Sequence, residues 1–169
     1  ARLSAASPGG GAGIMAALVD VSRVDELTTL EIAVRTRFGG TDILMNNAGI
    51  SPGAKMFGPL ENWQRLLAVN LWGVIHGTQV FAPRMIERGR PGLIINTGSK
   101  QGITTPPGEP AYNVSKAGVK AFTEALQHEL RNTAGCRISA HLLIPAHVFT
   151  GLTARGRTDK PAGARPPDT

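Results

Sequence analysis

The chain has 169 residues, 41% hydrophobic and 18% charged, with a formal net charge of +6. That length suits one domain, and that balance describes a soluble globular protein rather than a disordered or fibrous one. Scattered basic residues, an aromatic content of only 5% and a single cysteine, Cys136, argue against nucleic acid as a partner and exclude an internal disulfide.

No apolar run approaches the roughly 20 residues that cross a bilayer, and the N-terminus lacks the charged-then-apolar layout of a secretory leader. The expected compartment is therefore the cytoplasm, with no membrane partner. His76, His128, His141 and His147 show no metal-ligand spacing with each other or with Cys136, so no metal is expected.

In chain order, Ile14 to Val19 is a short apolar run after a glycine-rich stretch, ending at Asp20-Val21, and reads as a buried strand. Ser22 with Asp25 three residues on resembles a capping box. Val24, Leu27, Ile32, Val34 and Phe38 then follow a helical spacing that Gly39-Gly40 stops. Ile43 to Met45 is the next strand. Trp63, Leu66, Leu67, Leu71, Val74 and Ile75 mark a long helix that Pro83 is expected to kink or end. Leu93 to Ile95 is a third strand, Tyr112 to about Arg131 a second long helix, and Ile138 to Ile144 a fourth strand. Strands alternating with helices predict an α/β fold, a parallel sheet with helices on both faces. After Thr150 the chain turns polar and rich in Arg, Gly and Pro, so 1–150 reads as the domain and 151–169 as a flexible segment.

Chemistry concentrates around Tyr112, the only tyrosine. With Tyr112 opening a helix, Lys116 lies one turn further on the same face, where its ammonium can stabilise a phenolate. A free phenol titrates near 10. Lowering that by about three units takes about 4 kcal/mol, which a cation roughly 4 Å away at an effective dielectric near 20 supplies. Ser99, at the end of the preceding strand, can hydrogen-bond a substrate oxygen while Tyr112 gives or takes its proton.

Five segments extend this pattern: Asp42-Ile43-Leu44-Met45-Asn46-Asn47-Ala48-Gly49, Val69-Asn70-Leu71-Trp72-Gly73, Ile95-Asn96-Thr97-Gly98-Ser99, Tyr112-Asn113-Val114-Ser115-Lys116, and Pro145 to Thr150. Their order and spacing resemble the short-chain dehydrogenase/reductase family from about Ile14 to Thr150. The resemblance implies a Rossmann-like doubly wound parallel sheet and an NAD- or NADP-dependent interconversion of an alcohol and a carbonyl on a small-molecule substrate. It implies the catalytic set Asn70, Ser99, Tyr112 and Lys116, in which the helix backbone at Asn70 holds a water linking Lys116 to solvent. Tyr112 and Lys116 would also bind the cofactor, Lys116 at the nicotinamide ribose. Asp20 and Val21 would meet the adenine, although an Asp at a strand end can equally cap the helix that follows. Asn47, Ala48 and Gly49 would let a ribose approach the backbone. Pro145, Val148 and Thr150 would orient the nicotinamide. The helices carrying Asn70 and Tyr112 are those through which relatives pair, so a homodimer or homotetramer is expected of the intact protein.

The chain also departs from the family's pattern. Gly98 stands where many relatives have another serine. Ala146 replaces a glycine, costing on the order of 1 kcal/mol if that position needs a positive φ. The glycine-rich run Pro8 to Gly13 follows no strand and opens no helix, so it is not a phosphate loop and looks like the turn before a strand. The family's first two strands with their phosphate-binding turn need about fifty residues, but only nineteen precede Asp20. The last helix and strand beyond Thr150 are missing too. The expectation is an incomplete sheet with an exposed apolar edge, a fragment of a longer product that is marginally stable alone. A non-catalytic fragment or interaction module that has lost cofactor binding is the rival reading. An epimerase or dehydratase of the extended branch shares the Tyr-Lys pair, but the Asn-Asn-Ala-Gly run argues against it. The substrate, held in loops around Thr104 to Pro110 and after Thr150, and the choice between NAD and NADP are not legible.

Overall fold

The structure is a computed structural model, and it describes residues 13–145. Eight helices and strands, with one π-helical turn, alternate along it: α1 (Val24–Phe38), β1 (Ile43–Asn46), α2 (Leu60–Leu67), the π-helical turn Ala68–Trp72, α3 (Gly73–Glu87), β2 (Gly92–Thr97), α4 (Gln101–Thr104), α5 (Pro110–Asn132) and β3 (Ile138–Leu143). The three strands form a parallel sheet in the order β1-β2-β3, with Ile43 beside Leu93 and Gly92 beside Ile138. This is the incomplete Rossmann-like α/β sheet that the sequence predicts.

Alternate strand residues take opposite sides of the sheet. Ile94, Ile138 and Ala140 pack with Phe81, Ala82 and Met85 of α3 and Leu130 of α5, with Leu30 of α1, Leu44 and Leu126 against them. Phe81 and Met85, and Leu126 and Leu130, are four apart and so share a helix face. The three long helices thus cover one face of the sheet. On the other, Ile43, Met45, Leu93 and Leu143 are exposed. The helices that a doubly wound sheet places there are not among the described residues.

Three local expectations change. Residues 14–20 form no ladder, and Leu18 is fully exposed. A strand needs a neighbour for its N–H and C=O groups, and no strand stands beside this segment among the described residues; Arg37 reaches the Ile14 carbonyl, and the Asp20 N–H turns to Glu26 Oε2 at 2.7 Å. The capping box is not made either. Arg23 is the N-cap of α1 without a side-chain bond, while Ser22 gives both its N–H and its hydroxyl to Asp20 Oδ1, at 2.9 and 2.7 Å. A carboxylate two residues away is a stronger acceptor than a helix end is a donor to Ser22. Finally, α3 runs through Pro83 to Glu87. The C-terminus of α1 does follow the sequence: Gly39 takes φ 79° and donates its N–H to the Arg35 carbonyl.

Candidate active site

The predicted site residues gather at the carboxyl ends of β1 and β2, where open α/β sheets bind ligands. Asn47, Ala48 and Gly49 leave the end of β1, all exposed. Thr97 at the end of β2 donates its hydroxyl to Asn47 Oδ1 at 2.9 Å, tying the two strand ends together. Beneath them Asn46 and Asn96 sit directly opposite each other in the ladder. Asn46 Nδ2 donates to Asn96 Oδ1 at 2.9 Å, and Asn96 Nδ2 donates to the Thr123 hydroxyl of α5 at 3.0 Å. Asn96 and Thr123 are buried and Asn46 half-buried, and the bonds between them fix α5 against the sheet.

Asn70 lies in the π-helical turn and is fully buried. Its side chain closes a two-way bond with one residue: Oδ1 accepts from the Ile50 N–H at 2.8 Å, and Nδ2 donates to the Ile50 carbonyl at 2.9 Å. The π-bulge, a form common at functional sites, thus holds the loop that follows Asn47-Ala48-Gly49. The sequence suggested Asn70 but not this grip on Ile50.

Ser99 precedes Lys100, the N-cap of α4; its hydroxyl accepts from the Gln101 N–H at 3.2 Å and lies near enough the Tyr112 phenol to favour the ionised form. Tyr112 is half-buried against Ala54, Leu66 and Ala111. Burial, the largest influence, raises its phenol above the usual 10; Ser99 works the other way, and the Glu109 carboxylate raises it further. Lys116 is buried, and that burial pushes its ammonium down to about 8. Its Nζ donates to the Thr97 carbonyl at 2.7 Å and stands 5.8 Å from the centre of the Tyr112 ring. One helical turn does bring the pair onto one face. The phenol nonetheless stays high, because burial outweighs the influence of Ser99, while the Lys116 ammonium is bonded to the strand end.

Gly102 of α4 sits against the α5 backbone: a Cβ there would come within 2.5 Å of the Lys116 carbonyl carbon. Only glycine lets α4 lie this close. Thr105, next in the loop, takes φ 42° and ψ 54°, an unusual conformation for a β-branched residue. Asn113 Nδ2 donates to the Pro106 carbonyl at 2.7 Å and closes the loop onto α5. Glu109, three residues before Tyr112, accepts from the Ser51 hydroxyl at 2.9 Å. Ser51, Thr97 and Glu109 were not singled out from the sequence. Their signal is positional only, since Ser51 and Glu109 lie close to motifs and Thr97 lies within one.

Asp20 and Val21 stand apart from the tyrosine. Ser22's hydroxyl and then its N–H hold the Asp20 carboxyl below the usual range. Its carboxylate caps a turn, not the helix. Val21 lines a cavity of about 200 Å³ with Leu27, Leu44, Ala48, Gly73 and Phe81 among its walls, which brings Val21 and the Asn47-Ala48 strand end to one place. Pro145 lies just past β3 and is half-buried. Val148 and Thr150, with Ala146, the segment 151–169 and most of the N-terminal glycine run, lie outside the described residues.

A family model described as short chain dehydrogenase matches residues 3–161. D-beta-hydroxybutyrate dehydrogenase of Rhizobium meliloti (strain 1021) is 32% identical over 142 residues, 83% of this chain and 54% of that protein. A short-chain dehydrogenase/reductase from Burkholderia phymatum, solved in complex with NAD, superposes with a TM-score of 0.84 at 35% identity, over 99% of this chain and 59% of that one. A gluconate 5-dehydrogenase from Burkholderia cenocepacia J2315, solved with NADP and tartrate, superposes with a TM-score of 0.74 at 33% identity, over 82% of this chain and 53% of that one. The chain therefore spans about half the length of the proteins it matches.

Proposed function

The chain belongs to the short-chain dehydrogenase family, and on that premise we propose that it is the catalytic region of an NAD(P)-dependent oxidoreductase interconverting an alcohol and a carbonyl. The observation that carries this reading is Tyr112, half-buried in the first turn of α5 beside Ser99, with the buried Lys116 one turn along and bonded to the end of β2.

The residues present fit a nicotinamide dinucleotide in part. The small, exposed Ala48 and Gly49 leave a strand end open to close approach, and Lys116 brings a buried cation beside it. The cavity beside Val21, at about 200 Å³, is smaller than the roughly 300–1,000 Å³ that takes a whole small molecule, so it suits one end of a long ligand. Asn47, Ala48, Gly49, Lys116 and Pro145 would hold the ribose and nicotinamide end, and Asp20 and Val21 the adenine. When bound, the cofactor supplies or accepts the hydride.

The protein's own work is positioning and proton transfer. The Ser99 hydroxyl donates to the substrate oxygen, and Tyr112 gives that oxygen its proton in reduction or removes it in oxidation. Because burial holds the phenol above 10, Tyr112 is the acid form at neutral pH and is set for reduction. Oxidation then rises with pH toward the Tyr112 titration, while reduction falls through it. Asn70 serves this set by fixing the Ile50 loop. The exposed Trp72 and Val114, on the π-helical turn and α5, support pairing with a second copy through these helices.

Tyr112→Phe tests the assignment. Reduction of a carbonyl substrate, followed by cofactor absorbance, is expected to fall at least a hundredfold while cofactor binding, read by fluorescence titration, stays within threefold. Undiminished turnover would refute the role.

A further inference from the structure

The Ser51–Glu109 contact is not explained by proton transfer at Tyr112. It joins residues 58 apart in sequence, one from the loop after β1 and one from the residue that opens α5. Both loops leave the carboxyl end of the sheet, and Glu109 is close enough to Tyr112 for its charge to be felt by the phenol. Glu109 is the N-cap of the 23-residue α5, where a carboxylate bonded to the free N–H groups is favourable by about 0.3–1 kcal/mol. Its side chain makes no such bond and turns to Ser51 instead. It is half-buried and forms no ion pair among the described residues. The nearest catalytic cation, Lys116, is committed to the Thr97 carbonyl.

The same segment is short of hydrogen-bond donors. Gln101 Oε1 and Asn113 Oδ1 are buried acceptors without a partner among the described residues. A half-buried carboxylate with one neutral donor and no cation among the described residues keeps acceptor capacity to spare, and it repels a second anion brought beside it.

We propose that Glu109, held in place by Ser51, is a specificity-determining residue: it accepts a hydrogen bond from a hydroxyl on the substrate beside the reacting carbonyl and excludes substrates carrying a carboxylate there. The substrate class is then the neutral hydroxy ketones and their diols, not the keto acids. This rests on Ser99 and Tyr112 marking the reacting end of the site.

Hydroxyacetone and pyruvate separate the two classes, because they share a methyl ketone and differ in a hydroxymethyl against a carboxylate. The chain with oxidised cofactor, which allows no reduction, is titrated with each ketone and binding is read by ligand-observed saturation-transfer NMR. Hydroxyacetone is expected to give at least three times the signal of pyruvate with the wild-type chain. Glu109→Gln should bring that ratio to near one, and Ser51→Ala, which leaves the charge but frees it, should weaken hydroxyacetone while still excluding pyruvate. Equal signals from the wild type, no signal from hydroxyacetone, or a ratio that Glu109→Gln leaves unchanged would each overturn the proposal. Tyr112 is the only tyrosine, so tyrosinate absorbance reports it alone. Its midpoint should fall in Glu109→Gln, and an unmoved midpoint counts against Glu109 facing the site. The two readings fail separately: undiminished turnover in Tyr112→Phe removes the catalytic assignment, whereas an unchanged binding ratio in Glu109→Gln removes only the specificity role.

Discussion

In β2 and β3 the side chains facing the helices, Ile94, Asn96, Ile138 and Ala140, are buried, whereas between Ile14 and Val21 no residue is. Both stretches are apolar in sequence. They differ in what stands next to them. β2 has a strand on each side and α3 and α5 beneath it, so its backbone is paired and its side chains are covered. The 14–20 segment has no ladder, only a contact from Arg37 at Ile14 and turn bonds at Asp20. Hydrophobicity permits burial, but neighbours decide it. Tyr112 and Lys116 lie on the well-packed side, where Asn96 and Thr123 bond α5 to β2 two turns beyond Lys116. Asp20 and Val21 lie on the poorly packed side.

The strongest way to break this contrast is at Asn96. Asn96→Ala removes the partner of both Asn46 and Thr123 and leaves a cavity in a fully buried position. It is expected to cost about 2–4 kcal/mol, read as a fall in urea midpoint, whereas Leu18→Ala should stay within about 0.5 kcal/mol. Equal losses would mean that the two regions are packed alike.

A smaller effect, with the opposite sign, is expected at Lys116. Its folded pKa of about 8 lies below the free value of 10.5, so burial penalises the charged form. That penalty is fully present below pH 8 and is relieved as pH rises from 8 to 10.5, up to roughly 3 kcal/mol. Lys116→Met removes it at the cost of one bond to Thr97, so the variant should melt higher than the wild type at pH 7, with the advantage gone by about pH 10. A variant less stable at pH 7 would show that the Thr97 bond outweighs the burial.

The smallest effect is expected on the open face of the sheet. Met45→Thr replaces a half-exposed side chain with a β-former and should change the melting temperature by no more than a few degrees. A large loss would show that this face is covered in solution.

The sequence by itself determined most of the local structure. Apolar spacing and Gly39 bounded α1, the run Ile138 to Ile144 marked β3 to within one residue, and α5 carries Tyr112 and Lys116 on one face. These follow from backbone periodicity and side-chain pattern, which act over a few residues. The tertiary structure decided the rest: Ile14 to Val19 without a ladder, Asn70 gripping Ile50, Lys116 reaching Thr97, and Glu109 turning from its own helix to Ser51. Each of these depends on which polar group, often tens of residues away, stands within hydrogen-bond reach. Periodicity carries no record of that, because a buried donor or acceptor takes whatever partner the packed elements bring to it.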